Sequence, residues 1–369
     1  GKVAIVPDDT SEANINQHIA RVTVDPGKAD SRYLWAFFAS RIGVTHLERQ
    51  VTGTVQEGIM LPFLRRLPVP LPPRPVQEYI GAKVRLAERC RLRAREHGEQ
   101  ADALLERTLG MRHFSIPQDQ VIWVRPKELD SRWLNANFYM ARYTGLLRHL
   151  DASGVKTVAL SKLATCIRTK KRPDSGTIKY VEIGDIDTSS GMITSWSLYE
   201  AGKEPNNAQR QISVGDILVS TRRPNRGAVA VVDRNLAGSF ASVFLARLRP
   251  KSGVSPWYIQ LYLRSITGTQ FLEQRCTETT YPVISEDDLE TVPIPVIAHD
   301  IQQQIEQALV AREVNLRFAN QLIGEAKADV EALIEGWLDV DGILSGRLQP
   351  PTWAAIASAT GDGVAATLP

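Results

Sequence analysis

The residues of this chain best equipped for chemistry are cations set on short loops. Arg168, Lys170, Lys171 and Arg172 fall within five positions beside a Pro-Asp-Ser-Gly turn, and Arg222, Arg223, Asn225 and Arg226 follow a strand-like run ending at Ser220-Thr221. A guanidinium presents a rigid fork of donors that fits a phosphate or the guanine O6/N7 edge, whereas an ammonium is a flexible point charge. The run TETTY at 277–281 adds hydroxyl groups of the kind that meet base edges or phosphates. The candidate nucleic-acid contacts are therefore Arg168, Lys170, Lys171, Arg172, Thr221, Arg222, Arg223, Asn225, Arg226, Thr279 and Tyr281. Either cluster alone reads more readily as a solvated charged turn. Two clusters in one domain, each just outside a strand, bring the nucleic-acid reading level with it.

Other chemistries find little support. His18, His46, His97, His113, His149 and His299 are isolated, with no HxxxH or HExxH spacing, and no P-loop, GxGxxG or GxSxG is present. No metal site and no catalytic constellation is expected. Cys90, Cys166 and Cys276 are odd in number and lack CxxC spacing, which fits a reducing compartment and a cytoplasmic protein. No apolar run approaches the roughly 18 residues of a membrane span. A net charge of +3 with 43% hydrophobic residues describes an ordinary globular chain, so a nucleic-acid surface must come from local clustering.

The elements that would position these loops are organised around residues 67–109. Prolines at 68, 70, 72, 73 and 75 make an extended lead-in, and a long helix is expected from Val76, with Gly98 as its internal weak point. This arrangement occurs twice. At an offset of 225 positions, residues 33–88 lie on 258–313 without a gap, with identities that include Ser40/Ser265, Gly43/Gly268, Thr52/Thr277, Thr54/Thr279, Pro68/Pro293, Pro70/Pro295, Gln77/Gln302 and Ile80/Ile305. At an offset of 226 the echo continues upstream, residues 1–6 falling on 227–232. Residues 133–226 have no counterpart before Gly1, so the first copy is expected to be truncated at its N-terminus, with an exposed sheet edge open to self-association.

Local patterns complete the expectation. Residues 1–6 and 17–24 read as β structure, and 31–41 as a helix capped by Ser31 with Tyr33, Leu34, Phe37 and Phe38 as its core stripe. Residues 52–58 read as a polar loop and 133–150 as a helix. Short strands and turns follow from 158 to 250, including 178–183, a turn at 187–191, 212–220 turning at Gly215-Asp216, 227–232 and 242–248. The second long helix, from about Asp300 to Trp337, carries a heptad seam through Ile305, Leu309, Arg312, Leu316, Ala319, Ile323, Ala326, Val330, Leu333 and Trp337; that of the first runs through Ile80, Val84, Ala87, Arg91, Ala94, Gly98, Ala101 and Leu105. Residues 83–95 carry a net +5 and residues 325–335 a net −3, which predicts antiparallel pairing with Val84 nearer Val330 than Leu309. Past 338 the Gly-, Ala-, Ser- and Pro-rich tail is expected to be mostly flexible.

The duplicated proline exit and Gln-containing helix start, the run Val214-Gly215-Asp216-Ile217-Leu218 and the run 180–186 (YVEIGDI) together resemble the DNA-specificity subunit of type I restriction-modification enzymes. The resemblance implies an α+β fold: two target-recognition domains, the second complete and the first N-terminally truncated, joined by two long antiparallel coiled-coil helices. On this chain it implies a first domain at 1–73, spacer helices at 74–110 and 300–337, a second domain at 111–299 and a tail at 338–369. It further implies a non-catalytic subunit that binds double-stranded DNA at a bipartite target and directs methyltransferase and restriction/translocase subunits, which would use S-adenosylmethionine and ATP. No cofactor is expected on this chain, and no membrane partner. The alternatives are a coiled-coil protein-interaction scaffold, or the specificity fragment of a fused restriction-modification polypeptide.

Overall fold

The computed structural model describes residues 3–6, 10, 12–51, 58–117, 123–126, 129–277 and 280–360. They fall into two compact units, Gly1–His97 with Ala311–Pro369, and Gly98–Val310.

The first unit is helical. Helices α1 (Ser31–Ala39), α2 (Arg41–Glu48) and α3 (Leu61–Arg65) precede the long α4 (Arg74–Thr108), whose N-terminal part belongs here. Asp30, not Ser31, caps α1: its carboxylate accepts from the amides of Arg32 and Tyr33. Helix α4 starts at Arg74, two residues before Val76, because a proline in the first helical turn has no hydrogen bond to lose there. The extended lead-in is retained up to Pro73.

The second long helix is numbered α9 (His299–Glu335) after four helices of the other unit, and its C-terminal part pairs with α4. Val84 packs with Ala326 and Val330, and Ala87 and Cys90 pack with Ala319 and Leu322, so the helices run antiparallel as the charge pattern predicts. Lys83 Nζ sits 2.7 Å from Asp329 and 3.7 Å from Glu325. The seam differs from the expected heptads in detail. Arg91 is exposed and Cys90 fills the groove, while Trp337 lies beyond the helix and is 81% exposed.

The sequence expectation fails at both ends of this unit. None of the described residues at 3–6 or 12–24 lies in a strand; alternation favours extended backbone, but a strand needs a paired neighbour, and none is present among the described residues. The segment after 338 is not structureless up to 360. Helix α10 (Val340–Leu344) puts Ile343 against the Val76, Ile80 and Val330 cluster, and α11 (Trp353–Thr360) puts Ile356 against Ala87, Cys90 and Leu322. Arg89 stacks on Trp353 at 4.0 Å. A few apolar residues in a polar run suffice when a ready groove receives them.

The second unit holds the rest of α4, the start of α9, and α5 (Ala141–Ala152), α6 (Pro256–Arg264), α7 (Ile266–Gln274) and α8 (Glu286–Leu289). The expected helix at 133–150 is broken at Met140, with a 3-10 turn at Ala136–Tyr139 before α5. Strands β1 (Thr157–Ala159) and β12 (Pro293–Pro295) pair antiparallel. One sheet contains β2 (Ala164–Cys166), β11 (Leu245–Pro250), β8 (Ile217–Ser220) and β9 (Val229–Val231), in that order. The other contains β6 (Ser197–Glu200), β3 (Thr177–Val181), β10 (Phe240–Ser242) and β7 (Ala208–Gln211). A hairpin of β4 (Ile186–Asp187) and β5 (Met192–Ile193) completes the strands.

Alternation along the first sheet explains its burial on both faces. Ile217, Val219, Ala246 and Leu248 face a cluster with α5, α6, Ala101 and Leu105 of α4 and Ile305 and Leu309 of α9. Leu218, Ala230 and Leu245 face Val181 and Ala241 of the other sheet.

The repeat reappears as repeated hydrogen bonds. Gln77 accepts from the Asp30 amide (2.9 Å) and donates to the Pro72 carbonyl (2.8 Å); Gln302 accepts from the Ser255 amide (3.1 Å) and donates to the Ile297 carbonyl (3.2 Å). Tyr33 and Tyr258 each donate a hydroxyl to the carbonyl of Pro70 and Pro295. Ser40 and Ser265 cap α2 and α7, where a Cβ on Gly43 or Gly268 would lie 1.9 Å from a carbonyl oxygen. Each of these paired residues fixes backbone.

Candidate nucleic-acid interface

Strands β2 and β8 flank β11, both antiparallel to it, so they leave the sheet at the same end. The register places Cys166 opposite Leu248 and Ser220 opposite Leu245. The two cationic runs are therefore direct continuations of two strands that exit together. A third segment joins them: the Ile284 amide donates to the Thr221 carbonyl, and two residues later Glu286 of α8 reaches Arg168.

That third segment changes the reading of Arg168. Its guanidinium is held by Glu286 (3.4 Å), Asp287 (2.5 Å) and Glu290 (3.0 Å), carboxylates too far along the chain for local pattern to reveal. Arg210 of β7, which sequence reading passed over, pairs with the same Glu286 and donates to the Ile167 carbonyl. Arg168 is thus charge-compensated within the fold. Thr221 likewise turns inward, its hydroxyl donating to the Phe244 carbonyl at 2.9 Å.

The remaining cations of the first run face solvent. Lys170 and Arg172 are exposed and make no ion pair with a described residue. Lys171 lies 3.6 Å from Asp174, while its amide donates to the Gln209 carbonyl, tying the run to the second sheet.

The second run is braced by the loop before α8. Arg222 forms an isolated bridge with Val283, and its guanidinium lies over the Phe244 ring at 5.0 Å. The Arg223 amide donates to the Pro282 carbonyl at 2.7 Å, and its guanidinium lies over the Tyr281 ring at 4.6 Å. Asn225 is half-buried and Arg226 exposed, in the 3-10 turn Pro224–Arg226. Thr279 lies outside the described residues. The geometry thus sets two neighbouring guanidinium groups on rings, Arg222 on Phe244 and Arg223 on Tyr281.

Arg275 anchors the start of the bracing loop. It stacks over Phe138 at 5.5 Å and donates to Thr291 Oγ1 at 2.8 Å, and burial pulls its guanidinium down to about 10. At the other end of the sheet Asp216, almost fully buried, accepts two bonds from Arg249 and one from the Ser213 amide. The Gly215-Asp216 turn is therefore structural. Among the described residues no group of three His, Cys, Asp or Glu side chains could hold a metal, and no helix is long and apolar enough to cross a membrane.

Residues 153–325, which include every candidate contact, match the family model described as type I restriction modification DNA specificity domain. The type I restriction enzyme HindI specificity subunit of Haemophilus influenzae is 24% identical over 143 residues, 38% of this chain and 31% of that protein. Among solved structures, the HsdS subunit from Thermoanaerobacter tengcongensis shares 24% identity with a TM-score of 0.36, covering 50% of this chain and 48% of that one. The type I restriction-modification S subunit from M. genitalium shares 11% with a TM-score of 0.44, over 85% of this chain and 74% of that one. The chain spans about a third of the curated relative's length and about half that of the Thermoanaerobacter subunit.

Proposed function

We propose that this chain, whose residues 153–325 match the type I restriction modification DNA specificity domain model, belongs to that family, binds double-stranded DNA and selects the sequence at which partner subunits act. The observation that carries this reading is the exit of β2 and β8 at one end of a sheet, each continuing into cations that carboxylates leave uncompensated: Lys170 and Arg172 on one loop, Arg222, Arg223 and Arg226 on the other. Lys170 and Arg172 anchor phosphates; Arg223, held over Tyr281, enters a groove. In this reading residues 111–299 read one half of a bipartite target, residues 1–73 belong to a second reader, and the helices at 74–110 and 300–337 set the spacing and receive methyltransferase subunits. The chain itself is non-catalytic. S-adenosylmethionine and ATP serve the methyltransferase and restriction/translocase partners.

The test is duplex binding across a salt series with the full chain. Wild type should lose affinity linearly in log salt, and Lys170→Ala with Arg172→Ala should flatten the slope by roughly one unit per lost phosphate contact. Arg168→Ala should leave the slope unchanged. Wild-type affinity that is absent or indifferent to salt overturns the reading and favours a protein scaffold.

A further inference from the structure

Arg223 is the one described residue other than glycine with positive φ, at φ 48° and ψ 52°. An L-residue there crowds its own Cβ against backbone, and the proline that follows at 224 disfavours the helical regions further. Glycine would meet the same turn without strain, as it does four positions later at Gly227 with φ 75°. The surroundings nevertheless hold Arg223 in place. Its amide is bonded to the Pro282 carbonyl at 2.7 Å, its carbonyl accepts from the Arg226 amide at 3.0 Å, and its neighbour Arg222 is bridged to Val283. Strain kept at a position where a smaller residue would relieve it points to a use for the side chain.

The side chain's surroundings say which use. The guanidinium lies over the Tyr281 ring at 4.6 Å, while Tyr281 is 44% exposed, so the stacked pair reaches the surface. No carboxylate among the described residues pairs with Arg223, in contrast to Arg168 with three. A contact through the ring face uses none of the guanidinium N–H groups, which stay available as a fork. A fork of parallel donors matches the O6 and N7 acceptors of guanine in the major groove. We propose that Arg223, held by Tyr281, is the specificity-determining residue for a guanine in the sequence this domain reads. Arg222, whose guanidinium is half-buried over Phe244, supports the turn. The proposal rests on the DNA-binding reading above and assigns one base of the target to one side chain.

The experiment selects bound duplexes from a pool with randomised base pairs, using the full chain at fixed salt. Wild type should enrich a motif with an invariant guanine. Arg223→Lys keeps the charge and loses the fork, and Arg223→Gly removes the side chain. Both should lose preference at that one position, with affinity for the enriched duplex down roughly 5- to 140-fold, the equivalent of about 1–3 kcal/mol. Affinity for the unselected pool should fall far less. Tyr281→Ala should weaken the same position's preference and Tyr281→Phe keep it. A purely structural Arg223 predicts instead that Arg223→Gly lowers the melting temperature and shifts no base preference. Enrichment of the same motif, guanine included, by Arg223→Gly overturns the assignment while leaving DNA reading intact. A wild-type chain that binds no duplex overturns the DNA reading, and the assignment with it.

Discussion

Replacing Gln302 by Met tests whether the repeat is held by its buried amides. Gln302 is 9% exposed; its Oε1 accepts from the Ser255 amide and its Nε2 donates to the Ile297 carbonyl, both backbone groups being buried. Met fills nearly the same volume without either bond, so packing is kept while one amide and one carbonyl lose their partner. A buried backbone group left unsatisfied costs about 1–3 kcal/mol, so two predict a loss of about 2–4 kcal/mol with partial relaxation. For a unit of this size that corresponds to a drop of roughly 4–16 °C in melting temperature. Urea unfolding followed by circular dichroism should show a lower midpoint with an unchanged slope. Gln77→Met should repeat the loss in the other unit, through the Asp30 amide and the Pro72 carbonyl. A Gln302→Met variant within about 0.5 kcal/mol of wild type would refute the reasoning, because a net loss that small is expected only of a surface change.

Three further outcomes follow from buried or paired charges. Asp329→Ala leaves the buried ammonium of Lys83, 6% exposed, with Glu325 at 3.7 Å as its ion-pair partner, and should lower stability by about 1.5–3 kcal/mol in urea, whereas Lys83→Met with Asp329→Leu should lie closer to wild type. At Asp187 burial pushes the carboxyl up, but hydrogen bonds from Ser190 and Ser189 outweigh it and bring it down to about 2. A depressed carboxylate stabilises the native state above its unfolded value near 4 and stops doing so as pH falls towards 2, so Asp187→Asn should remove part of the stability change in that window. Burial pushes the Cys166 thiol up to about 12, so a thiol reagent at pH 8 should label it only as fast as the sheet opens.

Legibility in the sequence followed the range of the physics. The pairing of the long helices could be read because opposite charge on residues 83–95 and 325–335 is a property of each segment alone, and Lys83 does meet Asp329 and Glu325. The loops at Lys170 and Arg222 were visible because strand endings and cation clusters are local. The neutralisation of Arg168 was invisible: its carboxylates belong to α8 and its C-cap, more than a hundred residues away in sequence, and backbone pairing of Thr221 with Ile284 and of Ser161 with Glu290 brings them near. Thr221 looked available because a hydroxyl's bond to a carbonyl across the sheet leaves no trace in composition. Residues 3–6 and 17–24 misled in the opposite sense, since alternation describes a face and not the partner that a strand requires.

The identities shared by the two copies and the residues of the candidate interface do different work. Ser40/Ser265, Gly43/Gly268 and Gln77/Gln302 all act on backbone, capping a helix, admitting a carbonyl or closing an amide–carbonyl pair. Those bonds fix geometry identically wherever they occur, and a change at any of them strands a buried group. Lys170, Arg172, Arg222 and Arg223 lie in the stretch 133–226, outside the shared identities, and none of the four side chains pairs with a described carboxylate; Arg222 lies over Phe244 and Arg223 over Tyr281. A scaffold locked by the first set lets the second vary at little cost to stability, since an exposed charge contributes about 0–1 kcal/mol. That separation is what a protein needs if its fold must stay constant while the sequence it recognises changes. Exchanging the side chain at 223 should accordingly move duplex preference, and exchanging those at 170 and 172 the affinity for every duplex, while the melting temperature stays nearly fixed.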